Sequence, residues 1–229
     1  PRNWCNFSIS YWNLNSIMSN NFEKLNILKA YNSIYNYDVI CLSETYLDSS
    51  YDTNDDPLSL PGYNLVRSNH PSDSKRGGVC VYYKQSLPIR FHNFHNLSEC
   101  ILFELNFNGK KVFITSLYRS PSQTNDEFEF FIDEFEKTLD LINSSDSYML
   151  LVLGDFNARF NRWYDQDYDT YEGKELNSIT CINGLTQIIS EPTHILPNSS
   201  SCIDLIFTNR PSLVINSGVH SSLHQNCHH

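Results

Sequence analysis

Residues 148–157, YMLLVLGDFN, decide how the chain is read. Six apolar side chains in succession make a strand with both faces covered, the type found at the centre of a sheet in α/β proteins. The Gly154-Asp155-Phe156-Asn157 turn closes it abruptly and leaves an acid and an amide two residues apart at the strand end. On the N-terminal side, Thr124-Asn125-Asp126-Glu127 has the form of a capping box. The spacing of Phe128, Phe131, Phe135, Leu139 and Ile142 then predicts a helix with one apolar stripe. Earlier still, residues 100–106 and 111–118 flank Asn108-Gly109, a strong hairpin signal because both residues tolerate positive φ.

The same reading extends to both ends. Residues 7–13 alternate as a half-buried strand, and Phe22, Leu25, Leu28, Tyr31 and Tyr35 predict a helix over residues 22–36. Residues 38–43 (DVICLS) are a buried strand, 45–62 a polar loop, and 63–67 and 78–84 further strands. Residues 174–182 are helical, with Gly184 near the C-terminal cap position. Apolar runs at 185–189, 202–207 and 212–219 complete the pattern, the last preceding His228 as a final strand. Hairpins mix with crossovers and strands outnumber helices. The expected fold class is α/β: a four-layer, two-sheet α/β sandwich with helices flanking two packed mixed β-sheets, spanning residues 1–229 as one domain.

Composition bounds the rest. Forty per cent apolar and 18% charged residues describe a packed globular chain. No apolar run approaches the ~20 residues of a membrane span, so no membrane partner is expected. Seven cysteines form no CxxC pair. That makes a zinc ribbon a poor reading, and the apolar surroundings of Cys41, Cys80 and Cys100 point to a reducing, intracellular setting. A net charge of −10 argues mildly against a nucleic-acid binder, although a cation-dependent site concentrates carboxylates for its own reasons. Pro1 in place of Met suggests a segment of a longer polyprotein.

Polar groups recur where strands end: Asn13 and Asn15, Glu44, Tyr118, Asp155 and Asn157, then Asp204 and, after the last run, His228. Singly, each has an ordinary structural reading as a turn former, a helix cap or a packed aromatic. Together they are the oxygen ligands, base and donors that metal-assisted phosphodiester cleavage needs.

Five segments carry a resemblance to the endonuclease/exonuclease/phosphatase superfamily. They are WNLNS at 12–16, LSETYL at 42–47, LYRSP at 117–121, GDFN at 154–157, and PTH at 192–194 with CIDLIFTN at 202–209. The third and fifth resemble the endonuclease branch of non-LTR retrotransposons. The resemblance implies Mg²⁺ (Mn²⁺ can substitute) held by Glu44 with Asn15. It implies Asp155 as the group that orients or deprotonates water, with Asn157 and Asn13 holding the phosphate and the base. Tyr118 would donate to a phosphate oxygen, and His228, oriented by Asp204, would stabilise the pentacovalent phosphorus. DNA is the implied partner, with a reverse-transcriptase domain in the same polyprotein and access to the nucleus. Phosphatase action on another phosphorylated substrate, or a binding module that has lost activity, are the alternatives. The chain departs from the family pattern at Asn15, usually an acid, and at Cys227, usually Asp before the His. A second register would put His224 in place of His228, and the closing strand expected after the final box is truncated at His229.

Overall fold

The computed structural model describes residues 7–51, 56–73, 75–93, 96–165 and 168–220. The first sheet has the order β1-β2-β4-β3, built from β1 (Ile9–Asn13), β2 (Val39–Ser43), β4 (Val79–Lys84) and β3 (Tyr63–Ser68). The second has the order β5-β6-β7-β8-β12-β9. Its strands are β5 (Ile89–His92), β6 (Cys100–Phe107), β7 (Lys110–Tyr118), β8 (Ser147–Asp155), β12 (Asp204–Thr208) and β9 (Thr186–Gln187). A separate hairpin pairs β10 (His194–Leu196) with β11 (Ser199–Ser201). Helix α1 (Ser19–Tyr35) connects the parallel pair β1 and β2, and α2 (Asn125–Ser144) connects the parallel pair β7 and β8. Parallel neighbours require such crossovers. Helix α3 is Tyr171–Ile182.

Side-chain alternation sorts these elements into four layers. Odd positions of β2 and β4 (Val39, Cys41, Val79, Val81) meet Ile101, Phe103, Ile114, Leu151 and Leu153 between the sheets. The even positions Ile40, Leu42, Cys80 and Tyr82 pack outward on Leu25 and Leu28 of α1. On the far side, Leu102, Phe113, Leu150 and Val152 lie under α2 and α3. The expected sandwich is therefore the observed fold. Cys41, Cys80 and Cys100 serve as buried apolar side chains. Among the described residues, no helix is long and apolar enough to cross a membrane.

Local signals held where they were chemical. Thr124 accepts from the Glu127 amide while the Glu127 side chain accepts from the Thr124 amide, closing the capping box. Asn108 and Gly109 turn the β6–β7 hairpin with φ of 55° and 84°. The run 212–219 does not make a strand. It begins as a 3-10 turn at Pro211–Leu213 and continues without ladder pairing, with Ile215 83% exposed. It passes the end of β9 without pairing, and the Ser217 hydroxyl donates to the Ile188 carbonyl there. Of the run 185–189, only Thr186–Gln187 is strand. Strand β5 and the β10–β11 hairpin carry no periodicity long enough to read.

Helix α2 anchors its layer through Phe135, which is fully buried, stacks on Phe131 and meets Phe156 edge-on. Phe135→Ala is expected to cost about 3–5 kcal/mol, and Thr124→Ala about 1 kcal/mol through the cap. Urea unfolding with an unchanged m-value measures both; equal costs would refute this assignment of the helix's anchorage.

Candidate active site

Register places the polar strand ends on one rim. Asn13 lies beside Ser43 and Ser43 beside Val79 in one sheet, while Tyr118, Asp155 and Asp204 lie side by side in the other. This is the carboxyl end of both parallel pairs, where α/β sheets leave room for ligands.

Asn13 joins the two sheets. Its buried side-chain amide donates to Glu44 Oε1 at 2.8 Å and to Asp155 Oδ2 at 2.9 Å, and its Oδ1 accepts from the Asn15 amide at 3.0 Å. Both amide hydrogens are thus spent aligning carboxylates, which favours a role in holding the base over holding phosphate. Glu44 also accepts from the Tyr46 hydroxyl at 2.8 Å, and the same hydroxyl lies 3.1 Å from Asn15 Oδ1. Lys24, buried beneath, donates to the carbonyls of Leu14 and Asn15 and fixes that turn.

The GDFN turn is clamped from β7. Asp155 Oδ1 accepts from the Asn157 amide at 2.9 Å, and Asn157 Nδ2 donates to the Arg119 carbonyl at 2.8 Å. The Arg119 guanidinium donates to the Phe156 and Asn157 carbonyls, the latter at 2.7 Å, and burial pushes its pKa below the usual arginine value. Gly154 is required by close approach: a Cβ there would sit 2.1 Å from the Leu117 carbonyl oxygen. Asp204 opens β12 with its amide on Thr193 Oγ1 at 2.9 Å, so the threonine of PTH seats it. Every expected site residue other than His228 is gathered here. His228 lies outside the described residues, as do His224 and Cys227.

Tyr46, Arg119 and Thr193 stood inside quoted segments without a role of their own. Lys24 and the buried acid Glu99 stood in none. Glu99 merely precedes an apolar run, and no local signal marks it.

Left-handed backbone concentrates on this rim: Asn15, Ser16, Glu44, Tyr46, Glu99 and Asn157 all have φ between 44° and 78°. Such conformations cost of order 1–3 kcal/mol each for residues other than Gly and recur at functional sites. The electrostatics are acidic. Tyr118 is pushed far above the usual tyrosine value by burial, then by Glu44, Asp155 and Glu99. Tyr46 rises through burial and its bond to Glu44, and Tyr11 through burial and the charges of Asp204 and Asp155.

Could these residues hold Mg²⁺? Among the described residues no three His, Cys, Asp or Glu form a metal cage. Glu44 and Asn15 do present a carboxylate and a carbonyl oxygen about one hydroxyl, and Glu44 takes its hydrogen bonds from the neutral Asn13 and Tyr46. Mg²⁺ typically takes one or two carboxylates, keeps several waters and shares substrate phosphates, so the donor set fits.

An α/β sandwich with acids and amides on one rim defines a class of fold shared with solved nucleases. The chain is similar to the AP endonuclease LMAP from Leishmania major, with a TM-score of 0.73 and 14% identity over 88% of this chain and 78% of that one. It is similar to an AP endonuclease from Archaeoglobus fulgidus (TM-score 0.66, 14% identity, 90% and 88% covered). It also resembles the endonuclease domain of TRAS1, a telomere-specific non-LTR retrotransposon (TM-score 0.64, 14% identity, 88% and 84% covered). No curated protein sequence matches it. The sequence model of the endonuclease/exonuclease/phosphatase family matches residues 10–226, and the chain belongs to that family.

Tyr118 and Tyr46 should stay protonated until the fold opens. Their folded pKa is raised, so the stabilising contribution is complete below the unfolded value near ~10 and is lost as pH rises above it. Ultraviolet difference titration should show a late group of tyrosines ionising only with alkaline unfolding; full titration in the native state near the ordinary value would contradict the burial described.

Proposed function

We propose that this chain is a Mg²⁺-dependent phosphodiesterase that nicks DNA, the single endonuclease domain of a non-LTR retrotransposon polyprotein that also holds a reverse-transcriptase domain. The observation that carries the reading is the Asn13 amide bridging Glu44 and Asp155, which sets a metal ligand and a base at a fixed separation. Glu44 and Asn15 would hold the cation, which when bound supplies charge neutralisation at a phosphate oxygen. Asp155 orients a water for in-line attack and accepts its proton, held by Asn13 on one oxygen and the Asn157 amide on the other. The Tyr118 hydroxyl, kept protonated by burial and then by the neighbouring acids, donates to a non-bridging phosphate oxygen. The remaining Asn157 amide hydrogen serves the same phosphate. His228, oriented by Asp204, would stabilise the pentacovalent phosphorus.

Two features favour the retroelement reading within the family. The LYRSP arginine clamps the GDFN turn, and the PTH threonine seats Asp204, so the segments resembling that branch converge on the catalytic rim. The fold itself is shared with the TRAS1 domain and with AP endonucleases alike. DNA as substrate and nuclear access follow from this reading.

Supercoiled plasmid at low salt, with Mg²⁺ or Mn²⁺ against EDTA, is the test. Nicking should depend on the metal and fall on the order of 10²–10⁴-fold in Asp155→Ala, the usual loss on removing a general base. Nicking that survives EDTA or Asp155→Ala would refute the assignment. Turnover of small phosphate esters without nicking would favour the phosphatase alternative.

A further inference from the structure

Glu99 is a buried acid that the proposed chemistry leaves unused, 5% exposed and with a left-handed backbone at φ 51°. Its carboxylate Oε1 accepts from the Gly78 amide at 2.5 Å. There is no space beside it: a Cβ on Gly77 would lie 1.9 Å from the same oxygen and 3.3 Å from the Tyr118 ring. The turn it grips passes the constraint on. The Gly78 carbonyl accepts from the Thr45 amide at 3.2 Å, and the Gly77 carbonyl accepts from the Tyr46 amide at 3.0 Å. Those two residues follow Glu44, and the Tyr46 hydroxyl then returns to the Glu44 carboxylate. On its other side, the Glu99 carbonyl accepts from the Tyr118 amide at 3.0 Å.

The geometry points to Glu99 as the positioning residue of the site: its carboxylate pins the Gly77-Gly78 turn and thereby sets Glu44 and Tyr46 against Tyr118. In this role it acts through the loop it holds. The backbone of residues 44–46 is left-handed at Glu44 and Tyr46, and the Gly77 and Gly78 carbonyls take the Tyr46 and Thr45 amides there. Burial raises the Glu99 carboxyl above the ordinary glutamate value, with the charge of Glu44 adding to it and the Gly78 amide and His70 opposing. A glutamine, whose side-chain oxygen can accept from the Gly78 amide in the same way, should serve in its place.

This inference rests on the reading of the rim as a phosphodiesterase site, but its decisive measurement does not. Amide hydrogen exchange is followed in the full chain for wild type, Glu99→Gln, Glu99→Ala and Gly77→Ala. Glu99→Ala and Gly77→Ala should speed exchange at Thr45 and Tyr46 by roughly tenfold or more, through local opening, while residues 151–153 of β8 stay protected. Glu99→Gln should remain within about threefold of wild type. In nicking assays the first two should lose kcat, on the order of tenfold to a hundredfold with little change in KM, and Glu99→Gln should retain it. Should Glu99→Ala fail to fold, Gly77→Ala against Glu99→Gln makes the same comparison. Unchanged exchange at Thr45 and Tyr46 in the folded variants would overturn the positioning role, and so would Glu99→Gln behaving like Glu99→Ala. If exchange responds as expected while wild type never nicks, the proposed function fails and the positioning stands.

Discussion

One side-chain amide ties the molecule together where it matters. Asn13 ends the edge strand of one sheet, yet it donates to an acid from each sheet, Glu44 and Asp155. This is possible only because the two sheets stack with the same rim upward, and their packing is apolar: Val39, Val79 and Val81 against Phe103, Ile114 and Leu153. Interior packing at crystal-like density resists sliding, so the carboxylates inherit the rigidity of the core. Hydrogen bonds to charged groups in such a setting are strong, and a missing partner is costly. The sandwich is thus the instrument that holds two like charges close.

Holding them creates a second constraint. Acids crowd a partly dry rim, and the consequence is visible in neighbouring tyrosines driven away from ionisation. In the proposed function a hard cation held by Glu44 would offset part of that negative charge. The surrounding backbone bears the cost as left-handed residues, two of them held by buried cations: Lys24 under Asn15 and Arg119 over Asn157 in the GDFN turn. Lys24 and Arg119 act on backbone carbonyls, those of Leu14 and Asn15 and those of Phe156 and Asn157, and Thr193 accepts from the Asp204 amide.

Much of this was legible along the chain. The central strand, the capping box at Thr124, the Asn108-Gly109 turn and the stripe of α2 are local patterns of burial or turn chemistry, and they formed as read. The strand-end residues Asn13, Glu44, Tyr118, Asp155, Asn157 and Asp204 could be picked out because polar groups after apolar runs are conspicuous. The run 212–219 misled because apolar residues can also pack from irregular backbone: Val214 and Val219 lie against the core while Ile215 faces solvent. Strand β5 escaped notice because four residues are too few to establish a period.

By itself, then, the sequence determined the element types, the alternation that splits them into two sheets, and the identity of the groups at strand ends, since each depends on neighbours a few residues away. Tertiary structure alone decided strand order, the meeting of Asn13 with Asp155 across 142 residues, and the reach of Glu99 to a turn 21 residues before it. Those contacts depend on how twisted sheets stack and which rims coincide, and no local periodicity encodes that. A buried carboxylate such as Glu99 reads in sequence as one more polar residue before a strand; only the closeness of Gly77 and Gly78 gives it something to hold.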